Sequence, residues 1–494
     1  MNNSVIIIGA GFAGMSAAAF MAKAGWNVTV LEKGATVGGR ARQLKAEGFT
    51  FDMGPSWYWM PDVFERFFAQ FGKKTTDYYT LTRLDPSYRV YWENETSDLP
   101  ANYTDLRQVF EIMEPGSAVN LDKYLEEAAH KYKIGMQRLV YKPGQSLSEF
   151  MNIEIIRNIL SLDIFTSIKK HVAKYFKHPK LQQLMEFPVL FLGALPQDTP
   201  SLYSLMNYAD IKGGTWYPKG GMYAVVKAIK KLAEELGVTF RFDEEVEEIV
   251  IEDKKVKKIR TNKNEYQTDV VISGADYYHT EQKLLKAEHR SYSLNYWNKK
   301  VLAPSCLIFF VGLNKRLTGI LHHTLFFDVP FDVHAEEIYK NKQWPNEPLF
   351  YLSVTSLSDD SVAPVGCENL FILIPIASGL TEDTDELRER YFSKIIGRME
   401  KKIGKSIGEA IIYKKSYSVS DFINDYHSFK GNAYGLANTL SQTANLKPSC
   451  QSKKIKNLFY TGQFTVPGPG VPPCLISGEV VATQVLKTIN RSLS

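Results

Sequence analysis

With 494 residues, 44% of them hydrophobic and 23% charged, the chain has the composition of an ordinary globular protein, with material for roughly two to four domains, which excludes a fibrous or wholly disordered molecule. A net charge of +5, from 59 Lys and Arg against 54 Asp and Glu, is too weak for a nucleic-acid binder, and no RNA- or DNA-binding motif accompanies it. Cys306, Cys367, Cys450 and Cys474 contain no C-x-x-C pair, so no zinc or dithiol site is expected and a reduced, cytoplasmic setting fits best.

The opening "MNNSVIIIGA" reads as no signal peptide, because its apolar run leads into a glycine turn. No stretch reaches the roughly 18 apolar residues of a membrane span, so the chain is expected to lie on a bilayer at most. Ser4–Ile8 is β-branched and reads as a buried parallel strand, Phe12 to Ala24 as a helix, and Asn27–Leu31 as a second strand ending at Glu32. Gly9, Gly11 and Gly14 form G-x-G-x-x-G between strand and helix. Gly9 permits the tight turn, Gly11 lets backbone approach a pyrophosphate, and Gly14 lets helix and strand pack. The helix opening at Phe12 and Ala13 offers free N–H groups to that pyrophosphate. Glu32, followed by Lys33, is placed to accept hydrogen bonds from a ribose 2′-hydroxyl.

"GATVGGRARQ" follows, with Gly38, Gly39, Arg40 and Arg42. A glycine doublet and arginine after the ribose-binding acid resemble the second fingerprint of FAD-dependent, amine oxidase-like flavoproteins. A flavin nucleotide runs inward from the crevice, so a second loop must cover its phosphates, and Arg40 supplies charge-assisted hydrogen bonds. A surface glycine turn is the alternative. No second glycine fingerprint appears, so a separate NAD(P)H site is not expected. The reduced flavin would then pass its electrons to a quinone or to oxygen.

In "FTFDMGPSWYWMP", Asp52, Gly54, Pro55 and Ser56 read as a rigid turn against the cofactor. Trp57, Tyr58 and Trp59 are either core or the wall of an apolar pocket. Residues 62–72 read as a helix, "YRVYW" as a strand, and Leu106–Met113, Leu121–Leu139 and Ser146–Phe176 as mainly helical. In residues 155–196, apolar residues interleave with Lys169, Lys170, Lys174, Lys177 and Lys180. That pattern suits an interfacial membrane helix and an ordinary amphipathic surface helix alike. "GGTWYPKGGMY" follows, with Trp216 and a helix opening at Gly220-Gly221, then a strand from Val238 and a hairpin containing Val246. "DVVISGADYYHT" ends a strand at Gly274. "SCLIFFVGLN", "LFYLSV" and "NLFILIPIA" read as apolar strands, and "TDELRERYFSKIIGRMEKKIG" as a helix behind them. "KGNAYGLANTLSQTANLKP", which holds Tyr434, looks like a loop feeding the pocket. Asn457–Tyr460 reads as a strand rejoining the nucleotide sheet, followed by Gly462, the loop "TVPGPGVPPCLISG" and a helix beginning near Ser477.

The expected fold is α/β. A discontinuous, Rossmann-like FAD-binding domain takes residues 1–75, 213–285 and 449–494. A helical substrate and membrane-contact region takes 76–212, and an α+β substrate-binding sheet region takes 286–448.

On "VIIIGAGFAGMSAA", "EKGATVGGRAR", "GFTFDMGPSWYWMP", "WYPKGGMY", "ISGADYYHT", "GNAYGLANTLSQTA" and "FYTGQFTVPGPGVPPCLISG", the chain resembles the bacterial carotenoid desaturases, and most closely the phytoene desaturases, over nearly its whole length. The first two motifs are shared by many flavin oxidoreductases; the glycine-proline loop with "DMGPSWYWM" is more specific. The resemblance implies FAD-dependent desaturation of a hydrophobic C40 carotenoid, phytoene to lycopene in several steps, by a protein peripheral on the cytoplasmic membrane. One allylic hydrogen leaves as hydride and a vicinal one as a proton, and positioning does most of the work. Gly9, Gly11, Phe12, Ala13, Gly14, Glu32, Lys33, Gly39, Arg40, Gly54, Pro55, Ser56, Val246, Gly462, Gly470 and Val471 would hold the cofactor. Trp57, Tyr58, Trp216, Tyr434 and Val466 would face the substrate. Val466 stands where many relatives carry histidine. Asp52, Asp210, Asp276 and His279 lie near motifs, but no catalytic residue is nominated. The alternatives are another carotenoid desaturase, a carotene isomerase, an amine or porphyrinogen oxidase, or a non-enzymatic isoprenoid-binding protein resembling the Rab GDP-dissociation inhibitors.

Overall fold

A computed structural model describes residues 3–143 and 166–493. At its centre is a five-stranded parallel sheet in the order Leu458–Tyr460, Val270–Ser273, Ser4–Ile8, Asn27–Leu31, Thr239–Arg241. Ser4–Ile8 is buried on both faces, as its unbroken β-branched run requires. Val5 and Ile7 pack on one side with Met15, Ala17, Val225 and Val481 of the helices Phe12–Lys23, Met222–Glu235 and Val471–Leu493. Ile6 and Ile8 pack on the other with Ile249, Val256 and Ile259 of a three-stranded antiparallel sheet, Val246–Glu252, Lys255–Thr261 and Glu265–Gln267. The expected βαβ unit and hairpin are thus present, and the strand near residue 458 does rejoin the nucleotide sheet.

A second, seven-stranded sheet runs in the order Ile411–Tyr417, Ser305–Leu313, Glu368–Ile376, Phe350–Ser353, His323–Phe327, Tyr88–Trp92, Thr96–Leu99. Its pairs are antiparallel except His323–Phe327 beside Tyr88–Trp92. The last two strands come from the stretch 76–212, so that stretch contributes sheet as well as helices. Leu307, Phe309 and Val311 face the helix Asp385–Ile403 through Ile395 and Met399. Cys306, Ile308 and Phe310, one residue out of phase, face the nucleotide side.

Helices Tyr103–Met113, Ser117–Ile134, Ile168–Tyr175, Pro179–Glu186 and Leu205–Ile211 cover one end of this sheet. The helical reading of Ser146–Phe176 falls partly outside the described residues; its described part is Ile168–Tyr175. There Ile168, His171 and Val172 are buried in the protein, so the apolar face of that helix is turned inward. Among the described residues no helix is long and apolar enough to cross a membrane.

One boundary moves. The last helix begins at Val471, not near Ser477. Pro472 and Pro473 sit in its first turn, where the missing N–H is no loss and φ is already helical. Gly478 lies where this helix crosses Phe12–Lys23: a Cβ there would stand 2.6 Å from Ala13 O.

Candidate cofactor and substrate site

A single cavity of about 990 Å3 runs from the glycine turn at Gly9 to the face of the seven-stranded sheet. At the turn, Gly9 has φ +94, which glycine alone takes readily. Gly11 caps the helix Phe12–Lys23 with no side-chain hydrogen bond, leaving the first N–H groups of the helix directed into the cavity. A Cβ on Gly11 would meet nothing within 4 Å, whereas one on Gly14 would stand 2.1 Å from Gly9 O. Gly11 is therefore small for whatever fills the cavity, and Gly14 is small for the fold. Gly14 does not line the cavity; Gly9, Gly11, Phe12 and Ala13 do.

Glu32 is fixed by two backbone donors: Ala10 N–H donates to Oε2 at 2.8 Å and Gly34 N–H to Oε1 at 2.9 Å. Lone pairs remain on both oxygens for a ligand hydroxyl. Arg40 donates from Nη2 to Ser428 Oγ at 3.0 Å and Asn432 O at 3.3 Å. Its Nε is buried with no hydrogen-bond partner among the described residues. Burial pushes the Arg40 guanidinium below its ordinary pKa, opposed chiefly by Asp276. Burial in turn raises the Asp276 carboxyl, against the N–H groups of Phe429 and His279 and the charge of Arg40. An unpaired guanidinium N–H, a bare helix N-terminus and an open glycine fit the diphosphate of a dinucleotide.

The mouth beside Glu32 is polar and cross-linked. Lys33 Nζ donates to Asn424 O at 3.0 Å, and His427 Nε2 lies 2.6 Å from Glu245 Oε1. His279 stacks on His427 at 4.1 Å. Burial, then the neighbouring His427 and Lys33, push His279 down to about 3, so its ring is neutral. Val246 lines the cavity next to Glu245.

Further in, Gly39, Arg40, Gly54, Pro55 and Ser56 face Gly462, Gly470 and Val471 across the cavity. Because Pro472 and Pro473 carry no N–H and Cys474 N–H already donates to Gly470 O at 3.0 Å, the N–H of that first turn left without a backbone acceptor among the described residues is Val471's. The apolar end is lined by Trp57, Trp59, Val466 and Tyr434, by Cys306 and Ile308, and by Met136, Leu139, Leu202 and Met206. Trp57 stacks on His323 at 4.1 Å, and the Tyr351 hydroxyl lies 2.6 Å from His323 Nδ1.

Two residues expected in the pocket are elsewhere. Tyr58 is fully buried against Phe64, with its hydroxyl 2.7 Å from that of Tyr79. Trp216 donates from Nε1 to Gly213 O at 2.9 Å and bridges Tyr58 on the side away from the cavity lining. In an extended segment successive side chains point to opposite faces, so Trp57 and Trp59 reach the cavity and Tyr58 does not. Asp52 and Asp210 are structural. Asp52 accepts Met222 N–H at 2.6 Å and Tyr223 N–H at 3.1 Å, and Asp210 accepts Tyr88 Oη at 3.0 Å and Thr215 Oγ1 at 3.1 Å. The sequence reading missed the wall from Met136, Leu139, Leu202 and Met206, which no local motif marks. It also missed Cys306 and Ile308, which the alternation of Ser305–Leu313 does mark.

A family model described as flavin containing amine oxidoreductase matches residues 12–486. The chain is 42% identical over 487 residues to a carotenoid 3,4-desaturase of Haloarcula japonica, covering 98% of both chains. It is 30% identical over 490 residues to the zeta-carotene-forming phytoene desaturase of Myxococcus xanthus, covering 98% of this chain and 93% of that one. An oxidoreductase from Methanosarcina mazei shares the fold, with a TM-score of 0.62 at 16% identity over 98% of this chain and all of that one.

Proposed function

The chain belongs to the flavin containing amine oxidoreductase family, as an FAD-dependent oxidoreductase of the carotenoid-desaturase kind, and from that premise we propose that it desaturates the 3,4 position of a long, already conjugated carotenoid. The observation that carries the reading is one continuous cavity of about 990 Å3, polar and phosphate-ready at Gly11 and Arg40, apolar and aromatic at Trp57, Tyr434 and Val466. Its size lies at the top of the roughly 300–1,000 Å3 range of small-molecule sites, in keeping with two ligands lying end to end. The 42% identity to a 3,4-desaturase favours that position. The several-step conversion of phytoene to lycopene is the second reading, supported by the glycine-proline loop and by the phytoene desaturase relative.

When bound, FAD supplies the two-electron oxidant. The helix N-terminus at Gly11, Arg40 and Glu32 bind and orient it, while Trp57, Val466 and Tyr434 press an apolar chain against it and exclude water. An allylic cation delocalises its own charge, so placement carries most of the catalysis. A quinone or oxygen serves as the final electron acceptor. The isoprenoid-binding alternative has no use for the open space at Gly11 or the unpaired Arg40 Nε.

We place the protein in the cytoplasm, peripheral on the cytoplasmic membrane. Support comes from the exposed Lys169, Lys170, Lys174 and Lys177, the last bonded through its N–H to Glu114 in the link between two helices that carry Ile112, 83% exposed, and Val119, 52% exposed. Cations over protruding apolar side chains suit an anionic bilayer.

Protein loaded with FAD and mixed with liposomes holding either phytoene or a conjugated acyclic carotene tests the reading by absorbance and chromatography. A product with one further double bond from the conjugated substrate supports 3,4-desaturation. Colour from phytoene favours the second reading, and no product from either removes both. Neutralising Lys169, Lys170 and Lys174 should weaken co-sedimentation with anionic liposomes; unchanged sedimentation rejects the membrane contact.

A further inference from the structure

A buried polar pair lies behind the glycine-proline loop. Lys447 is 6% exposed and Asn438 is 3% exposed. Among the described residues, neither Lys447 Nζ nor Asn438 Oδ1 has a hydrogen-bond partner. Both converge on Gly468: a Cβ there would stand 3.0 Å from Asn438 Oδ1 and 3.4 Å from Lys447 Nζ. The φ of +137 at Gly468 excludes ordinary side chains as well. Asn438 lines the cavity, and so do Pro467 and Pro469 on either side of that glycine. Lys447 is thus one side chain removed from the flavin end of the site.

Among the described residues, the charged group that bears on Lys447 is another cation, Lys300, with no carboxylate countering it. Burial first, then Lys300, pushes its amine down to about 7. Near neutral pH a substantial share of the Lys447 side chain is therefore the free amine, which is a base, and that share grows as pH rises.

Desaturation needs a base. The carboxylates lining the cavity are committed at the Glu32 end: Glu32 to Ala10 and Gly34, Glu244 to Thr261 and Tyr266, Glu245 to His427, Asp276 to the His279 and Phe429 N–H groups, and Asp425 to Arg42; of the lining imidazoles, His427 is held by Glu245 and burial pushes His279 down to about 3. His323 is the rival, through the Tyr351 hydroxyl. Burial, with His322 beside it, holds its ring well below the ordinary imidazole range, so it keeps a proton less well than Lys447 does.

We propose that Lys447 accepts the proton released in desaturation, through one water bridging it to Asn438. Such a water donates one O–H to the amine lone pair on Nζ and the other to Asn438 Oδ1, and its own lone pairs stay free to take the substrate's proton. One C–H bond gives its hydrogen and electron pair to FAD. The neighbouring C–H bond leaves its electrons in the new C=C bond, and its proton converts the Lys447 amine to an ammonium, which returns it to solvent. This assignment rests on the desaturase reading above.

Two measurements on the full-length, FAD-loaded protein test it. The first is the melting temperature of wild type, K447M and K447Q from about pH 6 to pH 10. An unfolded lysine titrates near 10.4. Between about pH 7 and 10 the unfolded wild type therefore binds more protons than the folded form, and its stability rises with pH. The variants' advantage should shrink across that window; a gap that does not change with pH overturns the free amine. The second is anaerobic bleaching of the flavin by carotenoid in liposomes, with FAD content checked by absorbance. Wild-type bleaching should accelerate through pH 7. K447M should be at least about tenfold slower and lack that acceleration, with K447Q in its place if K447M does not fold. Bleaching unchanged in rate and pH profile overturns this proposal alone. A wild type bleached by no carotenoid overturns the desaturase reading and this proposal with it.

Discussion

At the Glu32 end of the cavity, the glycine turn is tied to groups within the one segment Gly9–Gly38: Glu32 with Ala10 and Gly34, Gly38 N–H with Ala10 O at 2.8 Å. At the Tyr434 end, the wall is apolar and assembled from distant stretches, around residues 57, 136, 202, 306, 434 and 466, with, among the described residues, an unpaired amide oxygen and amine behind it. A diphosphate is recognised by backbone geometry, which a short sequence sets. A hydrocarbon is recognised by enclosed volume, which only tertiary packing sets.

The comparison breaks most visibly within the glycine turn itself. Gly14→Ala would drive a Cβ to 2.1 Å from Gly9 O, so the helix must leave the strand. We expect a loss of more than about 3 kcal/mol, read as a lowered unfolding midpoint even without FAD. Gly11→Val points into open space and should leave the flavin-free protein's melt nearly unchanged. It should abolish the visible flavin spectrum of the purified protein; full flavin stoichiometry would reject the phosphate site. Arg40→Met should weaken FAD binding by about 10- to 100-fold, the worth of roughly 1.5–3 kcal/mol for a charged hydrogen bond, as measured by titration of the flavin-free protein.

At the other end, Trp57→Ala should keep FAD stoichiometry and lower carotenoid turnover. Loss of flavin instead would mean that the two ends are not separable. The smallest effect belongs to Tyr58→Phe. It removes the 2.7 Å bond to Tyr79 and should cost about 1 kcal/mol of stability without changing turnover.

Legibility in the sequence follows the same division. Ser4–Ile8, the three glycines and Glu32 were readable because strand, turn and helix are contiguous and each glycine has a separate steric task. Tyr58 was misread because three adjacent aromatics look alike in composition, although an extended backbone sends the middle one to the opposite face. Trp216, half-buried, stays outside the pocket as its bridge partner. The start of the last helix was misread because Pro472 and Pro473 mark a turn in most settings, yet suit the first turn of a helix. Tyr88–Trp92 was readable as a strand, but its parallel partner His323–Phe327 lies over two hundred residues away and nothing local predicts that pairing.

The order of strands in the nucleotide sheet also has a consequence in time. Ser4–Ile8 pairs with Val270–Ser273, which pairs with Leu458–Tyr460. At synthesis rates of roughly 5–20 residues per second, the first strand waits about 20 to 90 s for the last. Throughout that interval the surface awaiting the final helix, including Ala13 and Ser16, whose hydroxyl donates to Leu475 O at 2.7 Å, has no cover. The flavin end of the site is closed by Gly462, Gly470 and Val471, so tight capture of the cofactor is a late event of biosynthesis. Bound FAD therefore marks a chain that has been made through to its last helix.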